Sequence, residues 1–328
     1  MTPTFDITLN GRSLFSTLQS YLISLVLTDE PGLKSDTCTL TLLNQQLELP
    51  QTGELLKVSL GYKETGVYDM GTFEIDGFTL THKDLQLTAH SADFLQTMKH
   101  PKSRSFENMT LASLVEQIAS EHGMPAAVSA DLQSLTIPTL HQSSESDLHL
   151  LTRLGQKYNL LIKPAGGSLV AMPRNRASAP TLPEVTITPD SVIRWAYRFS
   201  KQEDIPCVTA KGYDSDQAEE FHETVGSGRP SELGYALRGL YPTREAAQQA
   251  AKAVYEKLIQ KRHTFSATVI GHPWIAAEAR LALQGFQTEI PQQWKISRAT
   301  HSLTATGYTT SLEAMLDEEY AAQFKNAE

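Results

Sequence analysis

The sequence has few cysteines. Only two occur among its 328 residues, Cys38 and Cys207, and neither belongs to a C-x-x-C pair. Two cysteines in a chain of this length do not make a disulfide framework, so we expect the protein to fold in a reducing compartment. A cysteine zinc site is not expected either, because such sites use several thiolates at close spacing.

Long apolar segments and basic tracts are also absent. The first residues, MTPTFDITLNGRS, are polar and typical of a strand followed by a turn rather than of a signal peptide. No apolar run approaches the length of about 20 residues that a membrane-crossing helix requires. The net charge is −9 and no Lys/Arg-rich run occurs, which disfavours tight, sequence-reading contact with nucleic acid. We therefore expect a protein that is soluble when made.

Motifs of familiar catalytic chemistry are missing. The sequence holds no G-x-x-x-x-G-K-[ST], G-x-G-x-x-G, G-x-S-x-G or H-E-x-x-H. Its ten histidines are scattered, and the pairs His141/His149 and His263/His272 lack metal-ligand spacing with a supporting carboxylate. We predict no catalytic residue, no metal site and no cofactor.

Two acidic groups come closest to a functional site. Glu145 and Asp147 are candidates for the paired carboxylates of glycoside hydrolysis. They stand at the start of a predicted helix, however, where the helix dipole and free N–H groups favour acids. A second acidic run lacks the ligand spacing and glycine of a calcium-binding EF-hand loop, so we interpret it as a solvated loop. That run consists of Asp214, Asp216, Glu219 and Glu220.

Three aromatic residues alternate along one predicted strand: Trp195, Tyr197 and Phe199. Such a row can bind a sugar or a base. More often it packs in a β-barrel core or in a subunit contact, which is the interpretation we prefer.

Residues 1–97 have the alternation of an all-β module. Phe5, Ile7 and Leu9 alternate with polar residues before the turn signal Asn10-Gly11. Further short strands follow between turn signals, a spacing typical of a sandwich or barrel. Since the chain exceeds the size at which one core usually suffices, about two to four domains are expected.

Residues 98–175 change to helical spacing and predict an inserted α+β domain. Thr110 can cap a helix that ends at Gly123. A capping box at residues 144–147 opens a second amphipathic helix. A β-hairpin turning near Gly166-Gly167 follows. The apolar stripes are Leu111, Leu114, Val115, Ile118 and Ala119, then Leu148, Leu151, Leu154 and Tyr158.

Residues 176–312 have the pattern of a second β-module. The stretch 174–183, rich in Pro, Ala and Ser, is the best linker candidate. Within the module we expect a mobile polar loop at 214–235 and an Ala-rich helix at 243–262. The stretch YTTSLEAM, residues 308–315, is a predicted strand that completes this module. Residues 313–328 are assigned to a C-terminal tail, of which residues 316–328 are helix-prone.

One β pattern occurs twice, in residues 56–87 and in residues 281–303. Each copy begins with alternating apolar residues, turns at Gly plus an aromatic (Gly61-Tyr62, Gly285-Phe286), and resumes with an aromatic, a spacer and Ile. The hypothesis is two copies of one module, with chance similarity between two β-meanders as the alternative. Copies should place three pairs at equivalent positions: Phe73/Trp294, Ile75/Ile296 and His82/His301.

Four stretches, in order along nearly the whole chain, together resemble one family. Their most specific parts are Ser91-Ala92-Asp93-Phe94 and the segment from Gln142 to Leu151. The sequence is similar to the late control protein D family of temperate contractile-tailed phages, which are baseplate hub proteins. Residues 214–235 match no pattern of that family. The four stretches are 70–94, 104–124, 142–170 and 294–314.

The resemblance implies a β-rich α+β multidomain fold. Two tail-tube-like antiparallel β-barrels, residues 1–97 and 176–312, would flank the inserted α+β domain, residues 98–175. The family is also similar to the N-terminal part of type VI secretion spike proteins, whose fold contains two such barrels. Its members form homotrimers, so that six barrels make a pseudo-six-fold ring.

The implied function is structural. Such a ring joins the six-fold tail tube to the three-fold central spike. The implied partners are the tail tube or tape-measure protein, the spike and other baseplate proteins, and DNA passes through the lumen without specific binding. The implied location is the virion baseplate, after assembly in the host bacterial cytoplasm. The alternative is a tail-associated peptidoglycan-degrading enzyme, or a cell-wall-binding protein that uses residues 104–170.

Overall fold

The computed structural model describes most of the chain, and strands dominate it. The expected linker at 174–183, the Gly166-Gly167 turn and the residues after 316 lie outside the described part. The described residues are 1–31, 35–44, 49–91, 98–158, 160–165, 168–173, 184–200, 207–214, 219–226, 234–241 and 243–316. None of the helices described there combines the length and apolarity needed to cross a membrane.

Alternating apolar residues build the N-terminal half. In the strand Thr37–Leu43, for example, Cys38, Leu40 and Leu42 point into the core while their neighbours stay more exposed. The elements are β1 Pro3–Leu9, β2 Arg12–Ser13, α1 Phe15–Tyr21, β3 Leu22–Asp29, β4 Thr37–Leu43, β5 Leu55–Tyr62, β6 Gly66–Leu80 and β7 Asp84–Ser91.

The middle part, from residue 98 to residue 173, has its own buried core, which contains residues from Met98 to Ala171. Its elements are β8 Pro101–Thr110, α2 Leu111–Glu121, β9 Ala126–Val128, a 3₁₀ turn Ala130–Gln133, β10 Thr136–Ser146, α3 Asp147–Lys157, β11 Leu160–Ala165 and β12 Ser168–Pro173. Strands β8 and β10 form a ribbon that the sequence patterns did not predict, and β11 and β12 form the expected hairpin.

Both predicted helices are present, with one change in capping. The Thr110 side chain accepts a hydrogen bond from the Ser113 amide and begins α2 as expected. The second helix begins at Asp147, capped by Ser146 rather than by the first serine of the predicted box, Ser144. Ser144 has φ = 48° and still belongs to the β8–β10 ribbon, so it lies too early in the chain to cap the helix.

The C-terminal half contains a separate small sheet and a helix, which lie between two strands of the large sheet in chain order. Strands β15 to β17 form a separate three-stranded sheet that packs on helix α4. The elements are β13 Val185–Ile187, a 3₁₀ turn Pro189–Ser191, β14 Val192–Phe199, β15 Cys207–Asp214, β16 Glu219–Gly226, β17 Tyr235–Tyr241, α4 Arg244–Arg262, β18 His263–Ile270, β19 Arg280–Leu283, β20 Gln293–Thr304 and β21 Gly307–Leu316.

Two predictions in this half are wrong. The expected loop at 214–235 contains strand β16, which pairs with β15 along its whole length. Strand β16 is mostly polar, but its one buried residue, Phe221, packs in a cluster with Ala247 and Tyr255 of the following helix. The strand predicted at residues 308–315 is present as β21, but the tail boundary at residue 313 is too early, because Ala314 and Leu316 continue the buried alternation of that strand.

One continuous sheet joins the two halves, and its strand order repeats. The N-terminal half has the order β3-β4-β7-β6-β5-β1, and the C-terminal half has β14-β18-β21-β20-β19-β13. Each strand therefore has a counterpart at the same place in both the sheet and the chain. The halves differ in one pairing, since β1 is antiparallel to β5 whereas β13 is parallel to β19. No pairing among the described strands closes either half into a barrel.

The register confirms two of the predicted pairs. Phe73 lies opposite Leu56, and Trp294 lies opposite Leu281. Ile75 and Ile296 each face an alanine of the next strand, immediately before a β-bulge. In both halves the aromatic residue faces a leucine, the isoleucine faces an alanine, and a bulge follows the isoleucine. Chance similarity does not explain this agreement.

The third predicted pair is wrong. His82 lies in the turn between β6 and β7 and is exposed, whereas His301 is buried inside β20. The register aligns His301 with Leu80 instead. His301 lies opposite Thr310 of β21, and Leu80 lies opposite Leu85, the residue of β7 that occupies the equivalent place. Strand β6 turns soon after this point, and β20 continues to Thr304.

One predicted turn is also misplaced. Gly61 and Tyr62 lie inside β5, and the chain turns after them at residues 63–65. Gly285 and Phe286 do lie in the connection between β19 and β20.

Candidate functional site

The Asp147 carboxylate lies in a closed set of hydrogen bonds inside the 98–173 part. It is fully buried and accepts from Lys102 at 2.7 Å, Arg104 at 2.7 Å and Gln142 at 2.8 Å, with His122 Nε2 at 2.8 Å. Burial acts to raise the pKa of this carboxyl, but the hydrogen bonds and the Arg104 charge outweigh it and lower the pKa to about 2.

The neighbouring acids are held in the same way. Glu121 bridges Arg104 and Lys102, at 2.6 and 3.0 Å. Its pKa falls to about 2, because those hydrogen bonds outweigh burial. Glu145 pairs with Arg153 at 2.6 Å, and that hydrogen bond is the main cause of its lowered pKa.

These acids cannot supply a proton near neutral pH. A glycosidase needs one carboxyl with a raised pKa beside a second, ionised one. Asp147 and Glu145 both have lowered pKa values and are occupied by cationic partners. Their contacts instead fasten the β8–β10 ribbon to helices α2 and α3.

The histidine pairs and the acidic run also serve other contacts. His141 bonds Ser105 at 2.8 Å, and His149 bonds Glu145 at 2.6 Å. His263 bonds the Tyr197 hydroxyl at 2.9 Å. Among the residues that the structure describes, no three His, Cys, Asp or Glu side chains are grouped as metal ligands. Glu219 and Glu220 lie exposed on β16, and Asp216 lies outside the described residues.

The junction between the halves combines strand pairing with side-chain hydrogen bonds. Strand β3 pairs with the last part of β20, from Ala299 opposite Asp29 to Thr304 opposite Ser24. Tyr62 donates to the Gly271 carbonyl at 2.7 Å, so the first half also reaches the segment after β18.

Polar contacts close the Asp29 end of this junction. The Asp29 carboxylate accepts from the Ala277 amide at 2.8 Å, and Arg298 pairs with Glu30 at 2.9 Å. At the centre, buried His301 bonds the Tyr308 hydroxyl at 2.8 Å. Burial lowers the pKa of His301 to about 4, so the ring is neutral at pH 7.

The exposed large apolar side chains include two pairs at sheet edges that lie far apart in strand order. The β14 edge, Val192–Phe199, carries Ile193 at 59% and Phe199 at 46% exposure. The β6 edge, Gly77–Leu80, carries Phe78 at 42% and Leu80 at 49%. The three aromatic residues of β14 thus differ in exposure. Trp195 and Tyr197 pack against the core of the second half, whereas Phe199 is exposed.

Sequence patterns identified the β14 row but missed the β6 edge. The alternation of Phe78 and Leu80 was visible as part of a strand. The sequence had no signal that this strand outlasts its neighbour β5, whose first residue, Leu55, lies opposite Glu74. Exposed apolar edges of this kind are typical of surfaces that another chain covers.

Comparisons with known proteins agree with one another. A probable baseplate hub protein of Escherichia phage 186 is 27% identical, over 98% of this chain and 96% of that protein. The 43 kDa tail protein of prophage MuSo2 from Shewanella oneidensis has the same fold, with a TM-score of 0.74 at 15% identity over 97% of this chain and 99% of that one.

The fold likeness extends to secretion systems. The E. coli c3393 protein, a component of the type VI secretion system, matches with a TM-score of 0.62 at 10% identity, over 92% of this chain and 74% of that one. The sequence model of the family described as phage tail baseplate hub (GPD) matches residues 38–307, most of the chain. With the repeated strand order, these matches establish that the chain belongs to the phage tail baseplate hub (GPD) family.

Proposed function

We propose that this baseplate hub protein acts as a homotrimeric adaptor between the six-fold tail tube and the three-fold central spike. The observation that carries the proposal is the repeated strand order, which gives each chain two similar units. Three copies would then present six such units around one axis, which matches a six-fold ring on one face while keeping three-fold symmetry on the other.

In this proposal the two halves of the chain, residues 1–97 and 176–316, correspond to the tube-like units. Residues 98–175 form the inserted domain, held together by the Asp147 cluster. The implied neighbours are the tail tube or tape-measure protein above, the spike below and other baseplate proteins around the ring. Assembly takes place in the host bacterial cytoplasm before the hub enters the virion.

A structural role fits the chemistry of the candidate acids. Asp147 and Glu145 are engaged in ion pairs, and the phage 186 relative carries the name of a hub protein rather than of an enzyme. The net charge of −9 would let DNA pass through a ring lumen without specific binding, because like charges repel.

The test is the mass of the assembled protein. Sedimentation equilibrium over a wide concentration range, alone and with the purified spike protein, should give three times the 36.2 kDa chain mass. Class averages of the same sample in the electron microscope should show a three-fold ring with six similar lobes. A particle that stays monomeric under all these conditions would contradict the adaptor.

A further inference from the structure

The chain pairs β3 with β20, but the two strands at the equivalent places in the other halves, β14 and β6, are not paired with each other. Strand β14 holds the place in the second half that β3 holds in the first, and β6 holds the place of β20. Within one chain β3 pairs with the last part of β20. Among the described strands, β14 pairs only with β18, and residues 77–80 of β6 pair only with β7. The same contact is therefore made once within the chain and left open once.

We propose that the β14 edge of one copy pairs antiparallel with the β6 edge of the next copy, as β3 pairs with β20. This inference rests on the proposed ring and names the surfaces that close it. Its partner is a second copy of this chain. The two edges are different, so the contact runs head to tail and can close into a ring.

The bulges fix how the strands correspond. Strands β3 and β14 each carry a bulge after their first residue, at Leu22/Ser24 and at Val192/Arg194. Residue Asp29 thus corresponds to Phe199. Strands β6 and β20 each carry a bulge after the shared isoleucine, so Ala299 corresponds to Phe78.

These correspondences give a register for the contact between copies. Within the chain, Asp29 lies opposite Ala299 and Leu27 lies opposite His301. When the same register is applied to the β14 and β6 edges, Phe199 of one copy lies opposite Phe78 of the next copy.

The next residues on the same face follow by alternation. Tyr197 then lies opposite Leu80, because side chains on one face of a strand recur every second residue.

Burial at the internal contact supports the translation. Ala299 and His301 on β20 are 0% and 1% exposed. Ala299 lies in the buried core of the second half, and His301 bonds Tyr308, Thr310 and the Ile275 carbonyl. Their counterparts Phe78 and Leu80 are 42% and 49% exposed, although Leu87 and Leu85 opposite them on β7 are buried. In the described part of the chain, these two positions of β6 are therefore uncovered, whereas the equivalent positions of β20 are buried.

The residues of the β6 edge also favour pairing over solvation, whereas the β14 edge carries the exposed Arg194 and Arg198 beside its apolar residues. Sheet edges that stay in water carry charges or prolines that discourage strand addition. The β6 edge offers Phe78, Thr79 and Leu80 without a charge. The internal contact is held by the ion pair of Arg298 with Glu30. In the contact between copies, Arg298 and Glu30 correspond to Gly77 and Ser200, which carry no charge. Asp29 corresponds to Phe199, so aromatic packing takes the place of charge.

The experiment is disulfide capture in the full-length protein. Opposite residues of an antiparallel pair have Cα atoms about 4.5–5.5 Å apart, within reach of a disulfide. The variant Phe78→Cys/Phe199→Cys should form reducible dimers and trimers under mild oxidation. Mixing the two single variants should give a linked dimer, whereas neither alone should link. The native thiols are buried, and burial raises the pKa of Cys38 to about 12, which keeps that thiol unreactive.

The matched control shifts the register by one residue. Thr79→Cys/Phe199→Cys places the two sulfurs on opposite faces of the sheet and should link at least about tenfold less. A second readout avoids cysteine altogether. Phe78→Lys should weaken self-association at least about tenfold, whereas Leu240→Lys, an equally drastic change at an exposed site on β17, should leave it unchanged.

The outcomes separate this inference from the proposed function. Trimers by mass that link through neither pair, or that link through Phe199→Cys alone, would overturn the β14–β6 contact and leave the adaptor standing. A monomer with and without the spike would overturn both. Linking of the Phe78/Phe199 pair at the predicted register, in particles of three-chain mass, supports the contact.

Discussion

Replacing the buried Asp147 carboxylate tests the account of the middle part of the chain most directly. The Asp147→Asn substitution keeps the shape of the side chain and removes its charge. Lys102, Arg104 and His122 then face an amide in place of two carboxylate oxygens. The residues from 98 to 173 should lose stability while the two sheet halves keep theirs.

The size of the expected loss in stability follows from the pKa. Folding lowers the pKa of the Asp147 carboxyl from 3.8 to about 2, so the ionised carboxylate stabilises the folded state by about 2 kcal/mol. That stability is present above pH 3.8 and is lost as the pH falls towards 2, because the unfolded state takes up the proton first. Leaving buried cations short of a partner adds to the loss, so we expect about 2–5 kcal/mol at pH 7.

Hydrogen exchange measured by mass spectrometry suits this prediction, because it reports the opening free energy of each part of a multidomain chain. Amides of α2 and α3 should exchange faster in Asp147→Asn at pH 7, and the difference from the wild type should shrink towards pH 2. The exposed Glu107→Gln change on β8 is the control. An unchanged exchange rate in α2 and α3, or a loss that grows at low pH, would refute the reasoning.

Three further predictions concern the two halves of the sheet. Gly271→Ala should destabilise the junction by about 1–3 kcal/mol, since a Cβ there would come within 2.1 Å of the Tyr308 ring; urea unfolding followed by tryptophan fluorescence measures this. Replacing His301 by Gln should abolish a loss of stability that the wild type shows as the pH falls from 6.5 to 4, because the buried neutral ring resists the proton that the unfolded chain accepts; urea unfolding across that range measures it. Trp294→Ala and Phe73→Ala should each cost about 3–5 kcal/mol, because both rings fill equivalent core positions; circular dichroism under urea compares them.

Matched controls make these results specific. Gly77→Ala is the control for Gly271→Ala, since a Cβ at Gly77 would meet nothing within 4 Å. His82→Gln, in an exposed turn, is the control for His301. A wild type whose stability is flat between pH 6.5 and 4, or a Phe73→Ala variant that unfolds like the wild type, would contradict the corresponding prediction.

The local elements were largely predictable because their signals are local. Thr110 caps α2 as the sequence indicated, and the stripe of that helix is buried. The aromatic–spacer–Ile repeat also marked equivalent strands. By contrast, strand β16 was missed because a single buried residue, Phe221, holds a segment that is otherwise polar. Five charged or polar residues of the same strand outweigh one buried aromatic residue in any sequence pattern, and only the packing of the strand on α4 reveals it.

The candidate acids show the same limit. A helix start explained Asp147 from the sequence, and the structure does place it at the start of α3. The partners Lys102, Arg104 and His122 lie 25 to 45 residues away in the chain. No spacing rule connects residues so far apart, so the lowered pKa of Asp147 could not be predicted.

The sequence by itself determined that two similar β-modules flank a helical insertion, because alternation and capping are written in neighbouring residues. Only the tertiary structure decided how the modules meet. Pairing of β3 with β20 depends on strand lengths and bulges that set which backbone groups remain available. The same lengths leave the β14 and β6 edges without a second strand partner among the described residues, and these are the edges that we propose for the contact between copies.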